Sequence, residues 1–285
     1  MQTNSTRRRF LGAAAGVAGA SLIAGKLRFA WGADGAAKTS RFPLGLQSYT
    51  FREFPVEKAI DMAHELGFAA IEFSVKHFPP GSSDDRIAEI KTKMSTAGMR
   101  ISAHGVNEFG KDHEANRRIF VFAKKIGIKN LSAYPSEDAF DSLEKLVAEF
   151  DIRIAIHNHG PGALYSKIAD VLNAIKGRDP RIGACADLGH YIRSAEDPVK
   201  AITLLNDRLF GVHLKDFAEQ TATSRGVILG KGHLDVEGVY KALAKVNFPA
   251  DGALSLEYEE NSRNPVPDVK ECIAVAREAE AKAFA

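Results

Sequence analysis

The sequence predicts an α/β fold, a single (β/α)8 barrel, on three observations. Short β-rich runs alternate with amphipathic helical stretches from Phe42 onward, eight times in all. The repeat fills residues 42–285, close to the ~250 residues such a barrel takes. Polar or ionisable side chains recur near the C-terminal end of every run, where a barrel carries its chemistry. An open doubly wound sheet is the competing arrangement, but no Gly-x-Gly-x-x-Gly follows the first run, and no linker divides the chain.

The elements follow in order. The first strand is expected over Leu44–Tyr49 and its helix over Val56–Leu66, ended by Gly67. Ala70–Ser74 and a helix over Asp85–Ala97 come next, ended by Gly98; then Arg100–His104 and Glu114–Ile126, ended by Gly127. Asn130–Tyr134 leads to a helix at Leu143–Phe150, and Arg153–His157 and Gly183–Asp187 supply the fifth and sixth strands. Asp197-Pro198 marks a helix start. Gly211–Lys215 and a helix ending over Tyr240–Val246 precede the last strand, Ala253–Glu257, and a closing helical stretch at Val269–Ala281.

Composition narrows the function. With 45% hydrophobic and 26% charged residues the chain is globular rather than disordered or collagen-like. The formal net charge of +2 is unevenly spread: five basic residues and one acidic residue fall in residues 1–37, so the remainder carries −2. A chain this weakly charged has no field to hold a nucleic acid. Its two cysteines, Cys185 and Cys272, are too few for a disulfide framework.

Residues 1–37 read as an address. Thr6-Arg7-Arg8-Arg9-Phe10-Leu11 precedes a small-residue apolar run from Gly12 to Gly25, too short and too rich in Ala and Gly to span a bilayer. The segment resembles a twin-arginine signal peptide, with cleavage expected between Gly32 and Ala37. That resemblance implies the twin-arginine translocation machinery as a partner, a periplasmic or otherwise exported destination, and no stable membrane insertion after cleavage. The catalytic barrel is then residues 38–285.

Strand parity locates the chemistry, because alternate residues of a barrel strand point inward. Counting in twos puts Gln47 with Tyr49, Glu72 with Ser74, His104, and Ser132 with Tyr134 on the inner face of the first four strands. The last four give His157 and His159, Cys185 and Asp187, His213 and Lys215, and Ser255 and Glu257. Converging polar groups of this number are costly to bury without partners, so an active-site mouth is expected. His157, Asp187, His213 and Glu257 lie on four successive strands, and two imidazoles with two carboxylates can surround one divalent ion. Mixed nitrogen and oxygen ligation suits Mn, Zn, Co or Fe better than Mg.

At these positions the sequence resembles a known family. His157-Asn158-His159-Gly160, Asp187-Leu188-Gly189-His190, His213-Leu214-Lys215-Asp216, Gly230-Lys231-Gly232-His233-Leu234-Asp235 and Glu257 are similar to the xylose-isomerase-like TIM-barrel superfamily. Its members include sugar isomerases and epimerases, inosose dehydratase and metal-dependent abasic-site endonucleases. The resemblance implies a metal held by His157, Asp187, His213 and Glu257, with His190 beside the substrate. His157 stands where the ketose epimerases usually carry a glutamate, so Glu257 is left alone of the two carboxylates that shuttle protons in those enzymes. The histidine-rich segment is closer to the inosose dehydratase branch.

The expected activity is therefore a divalent-metal sugar isomerase or epimerase working through an enediolate. A dehydratase or β-eliminating lyase on a keto-sugar, keto-inositol or keto-glycoside is the alternative, and a periplasmic sugar-binding module is the non-enzyme reading. Glu257 is the expected base, with Lys215 and His190 as electrostatic or acid partners. His104, Glu72, Tyr134 and His159 are expected at the substrate, or, for the first three, behind the ligands. Lys215 is otherwise expected to pair with Asp216 or another mouth acid, His233 to cap the turn before the following helix, and the Gly230–Gly232 turn to approach a phosphate. Cys185 reads as barrel filling, Cys272 as helix packing, and Phe109, Phe120 and Phe122 as buried loop or helix faces. A homodimer is compatible with the superfamily.

Overall fold

The computed structural model describes residues 40–285. The twin-arginine signal expected at residues 1–37 lies outside the described residues. Eight parallel strands close a barrel: β1 Gly45–Gln47, β2 Ala70–Phe73, β3 Arg100–Phe109, β4 Asn130–Pro135, β5 Arg153–His157, β6 Ile182–Asp187, β7 Leu209–Leu214 and β8 Ala253–Leu256. Each strand pairs with its neighbour in sequence, and β8 closes on β1. A two-stranded ribbon, Asp216–Phe217 with Gly226–Val227, stands at the end of β7. The helices are α1 Val56–Glu65, α2 Asp84–Thr96, α3 His113–Ile126, α4 Phe140–Phe150, α5 Ile168–Ile175, α6 Leu188–Arg193, α7 Pro198–Leu205, α8 Val236–Lys245 and α9 Val266–Ala283. Among the described residues no helix is long and apolar enough to cross a membrane.

Local chemistry sets the boundaries. Ser83, Asp112, Asp197 and Asp235 cap α2, α3, α7 and α8 by accepting backbone N–H groups of the first turn. Gly67, Gly98 and Gly127, expected at helix ends, all take left-handed dihedrals there. The apolar stripe of α1 (Val56, Ala59, Ile60, Ala63) and that of α4 (Phe140, Leu143, Leu146, Val147) bury against the outward face of the sheet, with Leu46, Ile71, Phe73, Leu131, Ile154 and Ile156 beneath. Phe109, Phe120, Phe122 and Cys272 join the same layer.

The inner face is different in kind. Small residues line it low down, and polar residues rise above them. His157 is in register with Cys185, Asp187 with His213, and His213 with Ser255, which puts Glu257 two residues higher on β8. The ligand candidates thus climb about one residue per strand from β5 to β8. That climb offsets the stagger of an eight-stranded, shear-8 barrel, so the four side chains meet at one height.

Parity fails for one of the expected site residues, His104. The register of β2 on β3 slips between Ile71 and Glu72: Ile71 faces Ile101, but Glu72 faces Ala103 and Phe73 faces His104. Counting in twos from Arg100 therefore puts His104 on the wrong side. It joins the outward set with Phe73 and Leu131, fully buried against Phe122, its Nε2 donating to the Phe78 carbonyl at 2.7 Å.

Burial lowers the His104 imidazole to about 4, so the ring is neutral in the fold at neutral pH. The unfolded chain protonates it below its ordinary value of about 6.5. Its contribution, of order 3 kcal/mol, is therefore complete above pH 6.5 and is lost as pH falls toward 4. His104→Gln keeps a donor for Phe78 without the titration. Its urea-unfolding midpoint is expected to fall less than that of the wild type between pH 7 and pH 4; parallel slopes would contradict the assignment.

Candidate metal centre and substrate pocket

The nitrogen and oxygen atoms that His157, Asp187, His213 and Glu257 can offer lie within 4.8 Å of one another at the C-terminal end of the barrel. His157 Nε2 is 3.1 Å from His213 Nδ1 and 3.6 Å from Asp187 Oδ2. His213 Nδ1 is 3.7 Å from Asp187 Oδ2 and 3.1 Å from Glu257 Oε2. All four residues are buried.

Each is aimed by the chain around it. Asp187 ends β6 and caps α6: its Oδ1 accepts the His190 N–H at 2.8 Å, which leaves Oδ2 turned to the cluster. Asn158 holds the Asp187 backbone from both sides, its Oδ1 accepting the Asp187 N–H at 2.8 Å and its Nδ2 donating to the Asp187 carbonyl at 3.0 Å. His213 is set from behind. Its Nε2 donates to Glu72 Oε2 at 3.0 Å, and that fixes the tautomer whose Nδ1 lone pair faces the cluster. Glu72 is wholly buried and has no oxygen to spare, because Ser132 Oγ donates to its Oε1 and Ser255 Oγ to its Oε2. It does not line the pocket, so its geometry is that of a residue orienting His213 rather than one touching substrate.

Lys215 points into the same cluster. Its ammonium is 2.7 Å from Glu257 Oε2, 3.0 Å from Asp187 Oδ2 and 2.5 Å from Glu259 Oε1. Its stem lies directly over Gly189, where a Cβ would fall 2.6 Å from Lys215 Cγ, so Asp187-Leu188-Gly189-His190 tolerates no side chain at its third position. The pairing with Asp216 is not made. Asp216 accepts N–H groups from Phe217, Gly230, Gly232 and Leu234, and so fills the turn where a phosphate was expected. The cap before α8 is Asp235, whose Oδ1 accepts the Gly238 N–H, and not His233.

Electrostatics follow from this crowding. Burial works against the charged Lys215, but Asp187, Glu257 and Glu259 outweigh it and hold the ammonium well above its ordinary value. Burial likewise opposes ionisation of Glu257 and Asp187, and the groups beside them outweigh it and hold both carboxyls below their usual range: Lys215 and the His213 ring for Glu257, the His190 ring and Lys215 for Asp187. His213 is raised despite its burial, chiefly by Cys185, Glu72 and Glu257. Burial lowers His159 to about 4 and His190 to about 3, so both rings are neutral at neutral pH.

The residues present fit a divalent cation. Asp187 Oδ2 is fully buried yet accepts no hydrogen bond; Lys215 approaches it at 3.0 Å without a bonding angle. Three carboxylates (Asp187, Glu257 and Glu259) surround one lysine and a fourth, Glu72, meets His213, so the cluster is short of positive charge.

A pocket of about 340 Å³ opens onto the cluster, lined at depth by His157, His159, His190, Lys215 and Glu257. Tyr134 stands outside it, with its ring against His159 and its hydroxyl accepting the Leu164 N–H at 2.8 Å, so it braces the loop after β5. His104 is absent from the pocket for the register reason given above. Sequence parity did not find Asn158, which points away from the inner face, whereas the place of Glu72 behind a ligand is one of the two expected for it. Glu259 was not singled out either, although its signal was there: it shares parity with Glu257 and lies just past the strand. Cys185 lies under His213, among Ala155 and Phe210.

Residues 60–279 match the family described as xylose isomerase-like TIM barrel. An inosose dehydratase of Clostridium botulinum (strain Eklund 17B / Type B) is 28% identical over 229 residues. The match covers 74% of this chain and 64% of that protein, a little under two thirds of the relative. Among solved structures, an uncharacterised protein of Parabacteroides distasonis ATCC 8503 is 28% identical with a TM-score of 0.65, covering 83% of this chain and 98% of that one. The 3-keto-D-glucoside 4-epimerase of E. coli shares the fold at a TM-score of 0.66 and 16% identity, covering 84% of this chain and 100% of that one.

Elemental analysis of protein purified without a metal-affinity tag is expected to find near-stoichiometric metal in the wild type and none in Asp187→Ala or His213→Ala. Glu72→Met, which removes the acceptor behind His213, is expected to weaken metal affinity ~10–100-fold in a chelator competition. Unchanged affinity in that variant would show that Glu72 does not orient the ligand.

Proposed function

The chain belongs to the xylose isomerase-like TIM barrel family, and on that premise we propose that it is a divalent-metal lyase that eliminates a β-substituent from a ketone of a sugar or cyclitol. The observation that carries this reading is the one-sidedness of the pocket. Both carboxylates that line it, Glu257 and Glu259, come from the end of β8, whereas the side built by β5 and α6 presents only the imidazoles of His157, His159 and His190. Inverting a carbon centre calls for a proton acceptor on one face and a proton donor on the other. Syn elimination can be carried by one group that takes the α-proton and hands it to the departing oxygen on the same face.

His157, Asp187, His213 and Glu257 would hold the ion, and their mixed donors favour Mn, Zn, Co or Fe over Mg. When bound, the ion supplies Lewis-acid polarisation of the substrate carbonyl and its neighbouring hydroxyl. Glu257 takes the proton from the carbon beside the carbonyl. Lys215, 2.7 Å away, keeps that carboxylate ionised beforehand and steadies the negative charge that develops on the substrate. The C–O bond one carbon further breaks, a C=C bond forms, and the Glu257 carboxyl returns its proton to the leaving oxygen. His159 and His190 hydrogen-bond substrate hydroxyls on the opposite face, and as neutral rings they have no acidic proton to deliver. The name of the inosose dehydratase relative, an elimination enzyme, supports the same direction.

The test is a keto-inositol and a 3-keto-glucoside offered in heavy water, followed by ultraviolet absorbance of the enone and by NMR. Loss of water or alcohol is expected, without a deuterated epimer of the starting ketone, and chelation is expected to stop it. Glu257→Gln is expected to lower the rate ~10²–10⁴-fold, with its metal content measured alongside so that ligand loss and base loss are told apart. A deuterated epimer with no enone would replace this reading by epimerisation.

A further inference from the structure

The wall of the pocket opposite the ligand cluster has a character of its own. It is built by the ends of β1, β2 and β3, and contributes Gln47, Tyr49, Ser74, Val75, Val106 and, at its edge, Lys76. Tyr49 and Val75 are 37% and 40% exposed, and they are two of only four large apolar side chains so exposed among the described residues. Exposed apolar groups gathered at the rim of a polar pocket mark a place that a ligand covers. Deeper on the same wall, the Ser74 hydroxyl is buried and has no hydrogen-bond partner. Ser74 lines the pocket, so its buried and unpartnered hydroxyl is a donor left for a ligand to meet.

Tyr49 is held in place rather than left to swing. The Arg52 guanidinium lies 4.9 Å from its ring centroid, and Arg52 is itself fixed by donating to the Tyr49 carbonyl at 3.2 Å and the Glu259 carbonyl at 2.6 Å. Glu259 pairs with Lys215, so the aromatic rim is tied to the lysine inside the cluster. A prepositioned ring of this kind gains contact with a flat partner at little cost in side-chain entropy.

We propose that this wall is a subsite for the aglycone of a glycoside, and that the aglycone is aromatic or otherwise flat and apolar. Tyr49 and Val75 carry its face, and Ser74 hydrogen-bonds the sugar beside the glycosidic oxygen. The inference rests on the elimination reading and specifies its substrate: a glycoside with its ketone at C3. The C2 proton passes to Glu257, the C1–O bond breaks, C1=C2 forms, and the aglycone leaves as a phenol or alcohol carrying that proton. No oxidant or reductant is consumed.

The experiment uses the metal-loaded full chain in two parallel measurements. Calorimetry compares phenyl and methyl β-glucosides as binding probes, and turnover compares the matching 3-keto-glycosides. The wild type is expected to prefer the phenyl compound about ten-fold in both, the scale of one well-placed aromatic contact. Tyr49→Ala is expected to remove most of that preference and Tyr49→Trp to keep it, with Val75→Ser intermediate. Absence of a phenyl preference in the wild type overturns the subsite, as does equal weakening of both probes in Tyr49→Ala. If both ketones are eliminated without a preference, the subsite falls and the elimination reading stands. If the preference appears in binding while neither ketone is eliminated, the subsite stands and the elimination reading falls.

Discussion

The arrangement at the barrel mouth depends on one shortage, that of positive charge around His213. Glu72 lies behind the ring, Asp187 and Glu257 lie in front, Glu259 stands above, and Lys215 is the one lysine among them. Ionised groups buried this closely are tolerated only when each has a counter-charge or a donor. The protein meets part of that demand with Lys215 and with serine hydroxyls on Glu72, and it leaves Asp187 Oδ2 without a donor. A divalent cation at the four converging donors would complete the balance, so the single unpartnered oxygen of Asp187 says more about the site than the number of acids does.

The convergence itself is a property of the barrel. Moving one strand along a shear-8 barrel shifts the axial height by about one residue, so ligands on four successive strands must climb in register to stay level. His157, Asp187, His213 and Glu257 do so. Alternation in the sequence registers the same fact as inward-facing polar residues near the ends of the fifth to eighth runs. Those strands and their inner faces were therefore legible before any coordinates, as were the glycine helix ends.

What was not legible has identifiable causes. His104 was assigned inward because a bulge, which adds a residue to one strand of a pair, leaves no mark in the spacing of polar residues. Asn158 sits on the wrong parity for the pocket and acts through the backbone of Asp187, so no side-chain pattern reveals it. The Gly230–Gly232 turn looked suited to an anion, and it is, but the anion is the chain's own Asp216. Sequence spacing shows that a nest of N–H groups can form; only the fold shows whether it is already filled.

Those cases share a rule that separates scaffold from site in this molecule. A carboxylate has two oxygens, and here each is committed to structure or left to chemistry. Asp216 spends both on four backbone N–H groups, and Glu72 spends both on Ser132, Ser255 and His213, so neither can reach a substrate. Asp187 divides them: Oδ1 caps α6 and Oδ2 faces the cluster. Glu257 has no helix to cap and meets only Lys215 and His213 through Oε2. A carboxylate bound into the scaffold by one oxygen makes a rigid ligand, because moving it would uncap a helix. One bound by side chains through a single oxygen keeps the other free to accept a proton and give it back. By that rule Asp187 is the more firmly anchored of the two ligand candidates, and Glu257 is the carboxylate with an oxygen to spare.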